Sequence, residues 1–296
     1  MKNNPYAGVE LGGTKCICIL ARSPDDILDK RVVDTGGPAE TIGAIQRILV
    51  EWHEDRSLRS LGIASFGPID LNRASQTYGF ITTTTKPQWP GTDVARRLEQ
   101  SLNVPTTSDT DVNGAALPEL RWGAGRSLTD LAYVTVGTGV GVGLIVNGAP
   151  VHGYAHPELG HMRVARGPGD DWPGACSFHG GCVEGLASGG AIRARLGGRS
   201  FDDIGPDDAI WDSVAGALAQ LCHVLVCSTA PQAILVGGGV MERQPHLLAR
   251  VSKLLRESLN GYLQLPAGDY VRAPGLGNLA GPLGAIALAM NAVGDG

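Results

Sequence analysis

Four side chains between positions 161 and 182 carry metal-binding chemistry at close spacing: His161, Cys176, His179 and Cys182, in the order H-x14-C-x2-H-x2-C. Two imidazoles and two thiolates form a complete tetrahedral set for zinc. They leave no coordination position open, so the expected metal is structural rather than a Lewis acid. The segment leading into this set, His156-Pro157-Glu158-Leu159-Gly160-His161, is short and polar. Its Glu158 and His161 offer an acceptor and a mixed donor, which suit the hydroxyls of a neutral polyol. Glu184 follows in Cys182-Val183-Glu184-Gly185. It either orients the same ligand or caps the next helix.

A second chemistry lies in glycine-rich turns. Glu10-Leu11-Gly12-Gly13-Thr14-Lys15 places two glycines, a hydroxyl and an ammonium between two apolar runs. Backbone N–H groups of Gly12 and Gly13 can face a phosphate there, with Thr14 and Lys15 adding a hydroxyl and a charge. It is not a P-loop, because G-x-x-x-x-G-K-[ST] is absent. Gly137-Thr138-Gly139 sits in a similar turn, and Gly237-Gly238-Gly239 forms a third cluster. One such turn alone reads as a hairpin connection; three together suit a nucleotide, with turns for the phosphates and an open cluster for the base. Asp109 and Asp111 end a strand and open a helix. A carboxylate in that place can orient a hydroxyl and take its proton, and Asp111, followed by Asn113, is the better placed; helix capping is the competing role.

These groups need elements to hold them. Alternation and turn residues predict strands over 6–10, 16–21 and 30–34 as an antiparallel meander, then strands over 61–65 and up to 109. Helical spacing predicts helices over 41–54, 92–102 and 113–122, the first burying Ile42, Ile45, Ile48 and Leu49. The second half repeats the pattern, with strands over 131–136 and 142–146 around the Gly137–Gly141 turn. A long helix over 212–228 and a strand over 234–236 follow. The recurrence predicts two related α/β halves around a cleft, divided as 1–112, with a small apolar C-terminal helix within 282–296 packing back on it, and 113–281.

Composition narrows the class. With 296 residues the chain can bury a large core. A net charge of −5 provides no basic field for nucleic acid. No apolar run is read as reaching the ~20 residues of a membrane span, and no signal-peptide core follows Met1. Six cysteines are too few for a disulfide framework at this length. Two complete the zinc set, and Cys16, Cys18, Cys222 and Cys227 read as buried thiols, so a cytoplasmic protein is expected.

The chain resembles the ROK family of sugar kinases, within the actin-like ATPase superfamily, and among them the bacterial fructokinase subgroup. The resemblance rests on ELGGTK at 10–15, the FGP turn at 66–68, TYGFITTTTKPQW at 77–89 and DTDVNGAALPE at 109–119. VGTGVGVGLIVNG at 136–148, HPELGH at 156–161, CSFHGGCVEG at 176–185 and LVGGGVM at 235–241 complete it. It implies a two-domain, ribonuclease H-like fold with a cleft between lobes and a zinc-stabilised loop over 161–182, and phosphate transfer from ATP to a hexose. By the same resemblance Asp111 is the general base. Asn113, Glu158, His161, Glu184 and Lys86 would contact the sugar. Gly12, Gly13, Thr14, Lys15, Gly137, Thr138 and Gly139 would face the phosphates, and Gly237, Gly238 and Gly239 the adenosine. Mg2+ would accompany ATP, zinc would hold the sugar loop, and a homodimer is implied; the apolar region around Trp211 is either its interface or core.

Two features depart from the subgroup. Its usual T-P-K-P-G-W reads Thr84-Thr85-Lys86-Pro87-Gln88-Trp89 here, and Pro118 falls in the helix after Asp111, read as lying in its first turns. The loop departure bears on sugar preference, so kinases for mannose, glucose or another hexose stand beside a fructokinase. Related repressors place a DNA-binding segment before the first phosphate motif. That motif starts at Glu10, so no such segment is expected. A catalytically inactive sugar sensor is disfavoured by the intact Asp111 and glycine turns.

Overall fold

The computed structural model describes residues 4–295. The first unit opens on β1 (Tyr6–Leu11), β2 (Lys15–Ser23) and β3 (Asp26–Asp34), then α1 (Pro38–Arg56), β4 (Leu61–Ser65), α2 (Ala95–Leu102), β5 (Thr106–Thr110) and α3 (Asp111–Arg121). Its sheet runs β3-β2-β1-β4-β5. The β1–β2–β3 pairs are antiparallel, whereas β4 lies parallel to β1 and β5 parallel to β4. Both faces of β1 and β2 are covered. Ala7, Val9, Leu11, Cys16, Cys18 and Leu20 pack with Ile42, Ile45, Leu49 and Trp52 of α1 and Leu98 of α2. Tyr6, Ile19 and Ala21 pack on the opposite side. The alternation follows from the two-residue period of a strand.

The second unit contains β6 (Leu131–Val136), β7 (Val140–Val146), β8 (Ala149–Pro150), α4 (Val183–Ala187), α5 (Gly189–Leu196), α6 (Ile210–Ser228), β9 (Ala233–Gly237), α7 (Gly239–Arg243), α8 (His246–Leu259) and β10 (Val271–Arg272). Its sheet runs β10-β9-β6-β7-β8, again with an antiparallel hairpin, β6–β7, and a parallel strand beside its first member, β9 on β6. The repeated strand grammar of the sequence is thus a repeated topology. In α6, Trp211 and Leu221 are wholly buried, so core packing accounts for the apolar Trp211 region. By length and composition α6 could cross a membrane, but 61% of its apolar window is buried inside the protein, as in a core helix. Cys227, expected to be buried, is exposed; five residues past Cys222, it is turned about 140° around the helix.

The chain then returns to the first unit as α9 (Ala280–Asn291). The two units are up to Arg126 with Pro150–His156 and from Leu276 onward, and Ser127–Ala149 with Pro157–Gly275. The first unit thus extends through α3, and α9 packs within it. The reason is close packing between α3 and α9. A Cβ on Gly284 would lie 2.1 Å from the carbonyl oxygen of Gly114, and one on Gly62 of β4 would lie 1.9 Å from that of Ala285. Pro118 contributes. It lies in the second half of α3, not its first turns, and lacks the N–H that would bond Gly114, leaving that carbonyl turned to α9.

The 82–92 segment is strapped to the first unit by Trp89, whose Nε1 donates to Gly36 O at 3.0 Å. Gln88, where the subgroup has Gly, sits at φ 69, in the left-handed region. Gln88 thus occupies a conformation that a glycine adopts without strain.

Two substitutions test this packing. Gly284→Ala is expected to destabilise the protein by about 3 kcal/mol through overpacking against backbone, read as a lower urea midpoint. Gln88→Gly should stabilise it by up to about 1 kcal/mol by relieving the left-handed strain.

Candidate functional site

The β1–β2 turn holds the first glycine cluster. Gly12 N donates to Lys15 O at 3.1 Å, and Thr35 clamps the turn from β3's end, its Oγ1 donating to Gly12 O at 2.8 Å and its N to Thr14 O at 3.0 Å. Gly13, Thr14 and Lys15 are exposed, and a Cβ on Gly13 would meet nothing within 4 Å. Lys86 reaches the same turn, its Nζ donating to Gly13 O at 2.6 Å. Glu10 lies beneath. Its Oε2 is buried with no hydrogen-bond partner, and burial raises its proton affinity while Lys15 opposes the shift. A buried, unpartnered carboxylate beneath a turn that carries Lys15 and Lys86 fits a divalent cation held with phosphates, since a hard cation takes oxygen ligands. The sequence contained Glu10 within its motif but gave no sign that its side chain would be buried.

At the same end of the sheet, two strands over from β1, Thr110 caps α3 by accepting from Asn113 N at 3.2 Å. The helix therefore begins at Asp111 rather than Asn113, and the cap is Thr110, not an aspartate. Asp111, half-exposed in the first turn, accepts from Val112 N at 2.9 Å. Asn113 is buried, and its Nδ2 donates to Asp109 Oδ1 at 2.9 Å. The strand end thus presents Asp111 and, two residues further along α3, holds Asn113 against Asp109.

In the second unit the Gly137–Gly139 turn closes on itself, Gly137 N donating to Gly139 O at 2.9 Å. Glu184 is in the first turn of α4 and accepts from Val140 N at 3.1 Å, so close that a Cβ on Gly139 would lie 2.5 Å from its Oε2. Glu184 does not cap α4; Cys182 does, through Sγ. Of the third cluster, a Cβ on Gly238, at φ 91, would lie 2.7 Å from Val136 O and one on Gly237 2.6 Å from Pro274 Cγ, whereas Gly239, like Gly137 of the second cluster, faces open space. Thr138 is exposed beside them.

The Glu158-Leu159-Gly160-His161 segment forms a 3-10 turn pinned to β7: a Cβ on Gly160 would lie 1.8 Å from Val140 O. Glu158 is exposed and His161 half-buried. His161 then joins Cys176, His179 and Cys182, whose ligand atoms all lie within 4.8 Å of one another. Cys176 Sγ is 3.6 Å from His161 Nδ1 and 3.7 Å from His179 Nδ1, and Cys182 Sγ is 3.8 Å from His161 Nδ1. Zinc bonds of about 2.3 Å to sulfur and 2.0–2.1 Å to nitrogen give a tetrahedral edge of about 3.6 Å. The four residues therefore fit zinc. Without a cation, burial pushes the Cys182 thiol up to about 11; a coordinated cation reverses that cost, because it takes thiolate.

Metal analysis should therefore find close to one zinc per chain. Cys176→Ser is expected to lose it and lower the melting temperature, as should chelation of the wild type; metal-free protein of full stability would contradict the assignment.

The family described as ROK matches residues 6–292. The chain is 42% identical to a fructokinase of Zymomonas mobilis, covering 99% of each. It superposes on a ROK hexokinase from Thermus thermophilus with a TM-score of 0.78 at 28% identity, covering 99% of this chain and 100% of the other. A ROK family glucokinase from Streptomyces griseus, solved in complex with glucose and AMPPNP, gives 0.76 at 26% identity, covering 97% and 99%. The paired hairpin-plus-parallel-strand sheets are those of an actin-like ATPase, and this chain belongs to the ROK family.

Proposed function

We propose that this chain phosphorylates a hexose with ATP, converting D-fructose to fructose 6-phosphate. The observation that carries the reading is the 42% identity to the Zymomonas mobilis fructokinase over 99% of both chains, against 26% to the Streptomyces griseus glucokinase. Asp111, at the N-terminal turn of α3, orients the sugar hydroxyl and accepts its proton as the oxygen attacks the terminal phosphorus and ADP departs. Asn113, Glu158, His161 and Glu184 bind the sugar. Gly160 seated on Val140 O and the bond from Val140 N to Glu184 support this, because both tie the sugar-binding segments to one strand.

Gly12, Gly13, Thr14 and Lys15, with Gly137, Thr138 and Gly139, face the phosphates through backbone N–H groups and the Lys15 charge. Gly237, Gly238 and Gly239 border the adenosine. Lys86, read as a sugar contact, is bonded to Gly13 O and so brings its charge to the phosphate turn as well. Glu10 would hold an Mg2+ ion carried in with the nucleotide, which would supply neutralisation of phosphate charge; its buried, unpartnered Oε2 supports this. His161, Cys176, His179 and Cys182 would hold zinc, which would fix the sugar loop without a chemical part. Six free cysteines, two of them zinc thiolates, suit a reducing cytoplasm.

A second reading, a kinase for glucose or mannose, is favoured by one observation. Thr85 and Gln88 replace the Pro and Gly of the fructokinase strap, and Gln88 adds an exposed polar side chain there.

A coupled ADP-release assay with MgATP across fructose, mannose, glucose, allose and N-acetylmannosamine tests both. Turnover highest on fructose is expected, and Asp111→Ala should lower it about 10²–10⁴-fold while leaving the melting temperature unchanged. Near-normal activity of that variant would remove Asp111 from the base role.

A further inference from the structure

One buried carboxylate at the acceptor end of the first unit is not used by the chemistry above. Asp109 is the penultimate residue of β5 and only 3% exposed. Its Oδ1 accepts from Thr110 N at 2.7 Å and from Asn113 Nδ2 at 2.9 Å. His152, from the 150–156 segment that returns to this unit, places Nε2 3.2 Å from Oδ1 and 3.0 Å from Oδ2. The α3 cap is already supplied by Thr110, so capping does not account for Asp109.

A carboxylate can only accept hydrogen bonds. An asparagine amide facing it must turn its NH2 inward and its carbonyl oxygen outward. Asn113 is 2% exposed, so bulk water cannot compensate for the opposite orientation, and an inverted amide would set two acceptors against each other. The same logic places a proton on His152 Nε2. The bond to Asp109 raises the proton affinity of the imidazole. His152 thus holds the carboxylate through both oxygens, Oδ1 being shared with the amide, with its own side chain 42% exposed.

We propose that Asp109, held by His152, is a positioning residue that locks the Asn113 amide with its carbonyl oxygen toward the acceptor sugar. Asn113 then accepts a hydrogen bond from a sugar hydroxyl rather than donating one. The identity of the ligand rests on the hexose-kinase reading; the amide orientation does not.

The test uses Asp109→Asn, His152→Ala and His152→Gln in the full-length enzyme, with KM measured separately for MgATP and for the hexose that the wild type turns over fastest. Asp109→Asn is expected to raise the sugar KM about tenfold or more, with the MgATP KM within about twofold. His152→Ala should raise the sugar KM less. His152→Gln should largely restore it, because the Gln amide nitrogen can replace Nε2 as donor. A sugar KM unchanged in Asp109→Asn, equal rises in both KM values, or a His152→Gln no better than His152→Ala would overturn the proposal. Should Asp109→Asn fail to fold, the two His152 variants decide by the same criterion. A wild type that turns over no hexose defeats the proposed function instead. The side-chain amide resonances of Asn113 then decide this inference. One strongly shifted, slowly exchanging N–H proton that is lost in His152→Ala supports it, and an averaged NH2 pair in the wild type refutes it.

Discussion

Close backbone approach between α9 and its neighbours is the constraint on which the first unit depends. Gly284 lies against Gly114 O of α3, and Gly62 of β4 lies against Ala285 O. At that distance no side chain intervenes, so the helix axis is fixed by backbone atoms rather than by deformable side chains. Pro118 removes the N–H that would have held Gly114 O within α3. The register of α3 against α9 sets where α3 begins, and with it where Asp111 and Asn113 stand.

The second unit solves a different problem. Between β8 and α4 the chain has little regular structure and few apolar residues to bury. Four convergent ligands gather there, and a metal held by them would do what a core does elsewhere, because the unfolded chain has no such site and the binding free energy would be folding free energy. Glycines permit the dense turns around it: Gly180 at φ 60 closes the Cys176 turn, and a Cβ on Gly185 would lie 1.8 Å from Gly180 O. From this cluster two ties run to β7, Gly160 on Val140 O and Glu184 on Val140 N. One residue of β7 thereby sets the positions of both the polar hexapeptide and α4.

Electrostatics is concentrated at the β1–β2 turn. Glu10 is kept from water by its neighbours, with a Cβ on Gly281 lying 2.1 Å from Oε1. Burial without a partner is costly for a carboxylate, and Lys15 offsets part of that cost. The same turn carries the exposed Gly13 backbone, the Lys15 ammonium and that of Lys86, which is bonded to Gly13 O, so positive charge gathers around this buried carboxylate.

Much of this was legible in the residues themselves. Strand alternation, the glycine turns and the H-x14-C-x2-H-x2-C spacing located the two hairpins, the long α6 and the ligand set, because periods and spacings are local properties. Even α8, which was not anticipated, carries its signal in Leu247, Val251, Leu255 and Leu259, spaced four apart. The α3 start was misplaced by two residues, since capping depends on which of Thr110 and Asp111 turns back to the backbone. What no local pattern contains is long-range company. The return of 150–156 to the first unit brings His152 to Asp109, 43 residues away in sequence. Likewise the burial of Glu10 and the bond from Lys86 to Gly13 exist only once distant segments have packed. Residue type and spacing determined which chemistries this chain can hold. Tertiary packing decided which carboxylates lie in water and which are buried, and therefore which can act and which can only position.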